Sequence, residues 1–212
     1  MTTNVKPHPT PRVAKGVRRR QLIEATIASI AKRGLGETTL AHISATAGLS
    51  QGIVNLHFTS KDNLLNETLK YLRDEYEQTW QAALAKASDD PASQLAALLK
   101  ADYKASVTDI KKLAVWFAFW GEVKSRPTYQ KICQDRVKEY NRVLGDILER
   151  LIKEGNYTNI DAHDVTEGIM AMADGLWLNM LVSARDVKRR DAEKIMMQYM
   201  AQTFTDHKSY FL

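Results

Sequence analysis

The sequence predicts an all-α protein of about nine helices. Two patterns carry that expectation: apolar residues recur three and four positions apart along most of the chain, and no stretch alternates as a strand would. A third observation agrees, since only 10 Gly and 5 Pro in 212 residues leave room for long helices. That length can bury a core without covalent staples. The single cysteine, Cys133, excludes an internal disulfide framework and fits a reducing compartment. No apolar leader opens the chain, and the longest apolar run, IMAMADGLWLNMLV, contains Asp174 and Asn179 and is too short to span a bilayer. A cytoplasmic protein with no membrane partner is expected.

Residues 1–17 read as a flexible basic arm, with Pro7, Pro9 and Pro11 and no apolar periodicity. From Arg18 the pattern turns helical through Leu22, Ile23, Thr26, Ile27 and Ile30, with Gly34 as its C-cap. Thr38 or Thr39 caps a short second helix that stops at Gly48, and a third runs from Gln51 to about His57. The fourth opens at SKDNLL and continues to about Lys86. The break SDDPAS places Pro91 in the first turn of a fifth helix, marked by Leu95, Leu98, Leu99 and Tyr103. The sixth holds the run VWFAFWGE, and Pro127 starts the seventh, with a face of Cys133, Val137, Tyr140, Leu144, Ile147 and Leu151. Asp161 caps the eighth, which is apolar nearly all round and so should be buried on more than one side. Ala192, Ile195, Met196, Tyr199, Thr203 and Phe204 stripe the ninth. The domain organisation expected is a head over 18–62 and a larger body over 63–212.

The net charge of +5 is unevenly placed: residues 1–60 hold eight Lys/Arg against two Glu, and the remainder holds 22 basic against 23 acidic residues. A basic head on a near-neutral body points to a polyanionic partner, although a solvated face would look the same on charge alone. The segment TLAHISATAGLSQGIVNLHFTSKDNL decides more. Ile43, Ala47, Leu49, Val54 and Phe58 are spaced to pack two short helices onto the first, with a tight turn at Gly48 where positive φ costs least as glycine. Gln51, Gly52, Ile53, Asn55 and Leu56 are left outward. That is a helix-turn-helix, whose second helix enters a major groove, unless the pair is a plain αα-hairpin.

The order Thr39, Ile43, Ala47-Gly48, Leu49-Ser50, Gly52, His57-Phe58, Lys61 and Leu64 resembles the tetracycline-repressor family of regulators over residues 18–65. The resemblance implies nine helices, a homodimer through the last two, double-stranded operator DNA as partner, and a small-molecule pocket in the larger domain. It implies backbone or phosphate roles for Thr39, His57 and Lys61, and base-edge roles for Gln51, Gly52, Ile53 and Asn55. Arg18, with Arg19 and Arg20, would add phosphate or minor-groove contacts. The chain departs from the family where Asn55 stands in place of a frequent tyrosine; an asparagine can bond an adenine edge bidentately, so the sequence read would change.

Trp116, Phe119 and Trp120, with the later run Asp174-Gly175-Leu176-Trp177-Leu178, are similar to one subgroup of that family, the choline-responsive repressors of glycine betaine synthesis. A quaternary ammonium cannot donate a hydrogen bond, and aromatic faces attract it by about 0.5 to 2 kcal/mol per ring. Trp116 and Trp120 share a helix face, with Trp177 and Tyr103 as candidate opposite walls and Asp174 as an anionic partner. Plain core packing is the competing reading for both indoles, and the dimer interface for Trp177. Asp102, Glu122 and Asn179 are weaker pocket candidates, better read as surface or interface. A regulator of an efflux or catabolic operon sensing an apolar or cationic aromatic ligand is the alternative. The five His are scattered and no glycine-rich phosphate loop or metal-spaced cluster appears, so neither an enzyme nor a cofactor or metal site is expected.

Overall fold

A computed structural model of the chain describes residues 11–182 and 188–212, with side chains described from Lys15 onward. Among the described residues the chain is helical and has no strand. The helices are α1 (Pro11–Arg33), α2 (Leu40–Ala47), α3 (Gln51–His57), α4 (Lys61–Leu84), α5 (Pro91–Ala101), α6 (Ile110–Trp120), α7 (Pro127–Glu154), α8 (Ala162–Val182) and α9 (Arg189–Thr203), followed by a 3-10 turn over Thr205–Tyr210. None of the described helices is long and apolar enough to cross a membrane. The chain divides into two compact units, one ending at Tyr71 and the other beginning at Leu72, so α4 contributes to both.

In the first unit α1 packs against α2 and α3 around Leu22, Ile30, Ile43, Val54, Phe58 and Leu64, all nearly inaccessible to solvent. Gly34 ends α1 at φ 81°, its N–H donating to the Ile30 carbonyl at 2.8 Å. Thr39, not Thr38, caps α2: its Oγ1 accepts from the His42 N–H at 3.2 Å, while buried Thr38 turns back to donate to the Gly34 carbonyl at 2.7 Å. Helix α1 begins at Pro11, seven residues before the expected start at Arg18. Proline suits a first helical position because it has no N–H to leave unpaired, and Val17 needs no apolar partner because it lies exposed. The rest of the expected arm, residues 1–10, lies outside the described residues.

In the second unit α7 packs against α5, α6 and α8, and α9 closes on α5 and α8. Asp90 caps α5 by accepting from the Ser93 N–H at 2.9 Å, with Pro91 next in line. Asp161 does the same for the start of α8, accepting from Asp164 at 3.0 Å. The buried face of α7 is rotated from the expected one: Ile132 and Arg136 go inward with Tyr140, while Cys133 and Val137 are half-buried.

Helices α8 and α9 both depart from the expected burial. Helix α8 buries one side only, through Ile169, Ala173, Leu176 and Trp177, and leaves Leu178 and Val182 exposed. On α9 the inward stripe is Ala192, Met196, Met197 and Met200, while Ile195 and Tyr199 face out, each 45% exposed. An apolar period that is satisfied on one side in a single chain leaves its second face for something outside it.

Candidate functional site

The head presents a short rod. Gly48 sits at φ 64° between α2 and α3, where a side chain would strain the backbone, and the Leu49 N–H reaches back to the Ser44 carbonyl at 2.9 Å. The turn is pinned to α1 by Gln21, whose Nε2 donates to the Ala47 carbonyl at 2.7 Å. Only Val54 of α3 is fully buried. Gln51, Gly52, Asn55 and Leu56 are exposed, and Ile53 and His57 are half-buried. Leu56 is 74% exposed, which is unusual for a leucine on a packed head. A Cβ added at Gly52 would meet only the Ser50 hydroxyl at 3.7 Å, so the fold itself has no need of glycine there.

The cations around this rod divide into committed and exposed ones. Arg19 pairs with Glu67, lies 4.5 Å over the Phe58 ring and donates to the His57 carbonyl, which holds α1, α3 and α4 together. Arg20 pairs with Glu24 at 2.8 Å. Arg18 is exposed and, among the described residues, bonds the nearby Gln21 side chain at 2.7 Å. Thr39 is exposed, and its hydroxyl, which accepts from His42, keeps a proton to donate. Lys61 opens α4 half-buried. Burial, with Lys15, Arg19 and Arg18 adding like charge, holds the His57 imidazole below its ordinary range, so it is neutral near pH 7; its Nδ1 is buried without a partner.

The second unit contains a box of aromatic rings around a buried cation. The Arg136 guanidinium carbon lies 5.2 Å from the ring centroids of Tyr76 and Trp116, 5.3 Å from Trp120 and 5.6 Å from Trp177. All four distances fall inside cation–π range. Helix α6 supplies the two tryptophans one turn apart, α4 the tyrosine and α8 the third indole. Trp116, Trp120 and Trp177, all singled out from the sequence, thus meet at one place. Phe119 and Tyr103 are not among the rings around Arg136. Phe119 packs edge-on against Tyr129 at 4.7 Å, and Tyr103 is buried just beyond α5 with its hydroxyl unpartnered. Asp174 is half-exposed, and the cation near it is a residue of this chain: Oδ1 stands 3.7 Å from an Arg136 nitrogen. The half of its surface that is covered raises its carboxyl, against the pull of Arg136.

Beneath the box lies Asp102, expected at the surface or an interface and found only 2% exposed. Its carboxylate accepts from the hydroxyls of Tyr76 and Tyr140, each at 2.8 Å, and its carbonyl accepts from the Trp177 indole N–H at 3.2 Å. Burial pushes its carboxyl up to about 6, although the Tyr140 and Tyr76 hydrogen bonds and Arg136 favour the charged form. Glu122 and Asn179 are exposed. A cavity of about 250 Å³ is lined by Trp120, Arg136 and Asp174 together with Gln130, Gln134 and Val137, and so reaches the box from outside. Arg136, Tyr76 and Tyr140 were missed by sequence reasoning, because a lone arginine and two spaced tyrosines on long helices carry no local signal.

Residues 22–68 match the family of bacterial regulatory proteins, tetR family, and residues 91–205 match the BetI-type transcriptional repressor C-terminal domain. The HTH-type transcriptional regulator BetI of Paraburkholderia xenovorans (strain LB400) is 32% identical over 186 residues, 87% of this chain and 92% of that protein. The BetI of Burkholderia mallei (strain NCTC 10229) is 30% identical over 187 residues, 88% of this chain and 93% of the relative. Among solved structures, a transcriptional regulator from Pseudomonas aeruginosa PAO1 superposes with a TM-score of 0.77 at 27% identity, covering 93% of this chain and 95% of the other. A transcriptional regulator from Saccharomonospora viridis, in complex with choline, shares the fold at a TM-score of 0.77 and 20% identity, over 87% of this chain and 96% of the other.

Proposed function

The chain belongs to the tetR family of bacterial regulatory proteins and carries a BetI-type repressor C-terminal domain, and from that premise we propose that it is a cytoplasmic, dimeric repressor released from its operator by choline or a closely related quaternary ammonium. DNA binding and transcriptional regulation are the family's work. The outward side of α3 supports Gln51, Gly52, Ile53 and Asn55 as the residues that read base edges, with Thr39, His57, Lys61 and Arg18 holding phosphates. Neutral His57 would do so as a hydrogen-bond donor rather than as a charge. The exposed apolar residues Leu178, Val182, Ile195 and Tyr199 support pairing of two copies through α8 and α9. Two recognition helices would then meet successive major grooves about 34 to 36 Å apart on a near-palindromic site.

The observation that carries the effector reading is the four-ring box, which already accommodates a flat, alkylated cation. Buried Asp102 and half-exposed Asp174 bring two carboxylates near the rings, a setting that favours a cation there. The relatives named BetI and the choline-bound neighbour point the same way. Effector binding would shift the population toward a form that no longer fits the operator, and control of glycine betaine synthesis is the physiological setting proposed. Tryptophan fluorescence tests this directly, since three of the 4 Trp line the box. Choline and tetramethylammonium should each give a saturable change and tetracycline none. A response to tetracycline alone would replace the cation reading with that of a drug-efflux regulator.

A further inference from the structure

Arg136 is anomalous for a buried charge. It is 6% exposed, its Nε has no hydrogen-bond partner, and its nearest carboxylate is Asp174 at 3.7 Å, beyond hydrogen-bonding distance. A buried guanidinium normally satisfies its fork with carboxylates or carbonyls. This one is held chiefly by the faces of Tyr76, Trp116, Trp120 and Trp177. Such attraction is the same one that would hold a quaternary ammonium, and the two cations cannot occupy one set of ring faces together.

Resting on the proposed effector reading, we infer that Arg136 is a built-in occupant of the aromatic box, an internal competitor that an incoming quaternary ammonium must displace. The wall of the 250 Å³ cavity supplies both the route and the destination. Gln130, Gln134 and half-exposed Asp174 line that cavity and offer acceptors to a guanidinium swung outward, which it lacks inside. The exchange keeps the charge of the box constant: one cation leaves the rings as another arrives. It therefore needs no second buried positive charge, which would be unfavourable in a dry interior. It also moves an α7 side chain every time the effector binds.

Internal competition lowers apparent affinity by the fraction of molecules whose box is open. For an open form populated at about 0.1–10%, removing the competitor tightens binding by about 10- to 1,000-fold. The test is calorimetric titration of tetramethylammonium and choline into the full-length wild type and into Arg136→Gln and Arg136→Met. At least tenfold tighter binding in either variant is expected. Equal or weaker binding in both folded variants, with the wild type still binding, overturns the displacement and leaves the box reading standing. No binding to any of the three proteins removes the box reading itself. Should both variants fail to fold, phenylglyoxal modification of the wild type read by mass spectrometry decides. The Arg136 peptide should be protected without choline and modified with it, and protection persisting at saturating choline overturns the inference.

Discussion

Replacing Tyr140 with phenylalanine removes one hydroxyl and leaves the ring, so its packing against Tyr76 at 5.7 Å and Trp80 at 5.8 Å is kept. What is lost is the 2.8 Å hydrogen bond to one carboxylate oxygen of Asp102. A bond to a buried charged group contributes about 1.5 to 3 kcal/mol, and one to a neutral group about 0.5 to 1.5 kcal/mol. Which value applies depends on pH, because burial holds the Asp102 carboxyl up to about 6. In the wild type the folded chain binds this proton more tightly than the unfolded chain. The Asp102 contribution to stability therefore falls as pH rises from about 4 to about 6 and is constant above that. In Tyr140→Phe the carboxyl is pushed roughly one pH unit higher, since one unit corresponds to about 1.4 kcal/mol, so the fall continues to about pH 7. Urea unfolding at fixed protomer concentration should show the variant less stable by about 1 kcal/mol at pH 5 and about 2 kcal/mol at pH 7.5. An equal loss at both pH values, or a larger one at pH 5, would refute the claim that Tyr140 supports an ionised Asp102.

Gly52→Ala should stabilise the protein by about 0.5 to 1 kcal/mol, because the helix loses a flexible residue and the methyl meets only ordinary contacts. The same change should weaken operator binding in gel-shift titrations if α3 lies in the groove as proposed, since the methyl would then stand between them. Asn55→Ala should alter which sequences are preferred in a binding selection, whereas Lys61→Ala should weaken all duplexes alike and reduce the salt slope by about one. Uniform loss for Asn55→Ala would remove it from the base readers. Ile195→Asp with Tyr199→Asp should shift sedimentation from dimer to monomer while leaving helicity unchanged, and a persistent dimer would place the interface elsewhere.

Much of the fold was legible because several helix ends obey a local rule. Gly34 and Gly48 take positive φ, Thr39 and Asp161 accept N–H groups three residues on, and Pro91 and Pro127 begin helices. The indoles of α6 could be paired because four positions bring side chains to one helix face. What could not be read are features created only by packing. Arg136 in α7 looks in sequence like any solvated charge, and Asp102 like a helix-end carboxylate. Their roles depend on Tyr76, Tyr140 and Trp177, which α4, α7 and α8 bring together. The exposed sides of α8 and α9 misled for the opposite reason, since periodicity reports that a face is apolar but not which molecule covers it.

In the proposed function an onium ion in the box controls the head's hold on DNA. Fluorescence anisotropy with a duplex selected in vitro for this protein, repeated across a choline titration at constant ionic strength, measures that coupling. Saturating choline should weaken binding by about 5- to 150-fold, the usual range for linked sites, and sodium chloride at matched concentration should not. An operator affinity that stays constant from zero to saturating choline would contradict it.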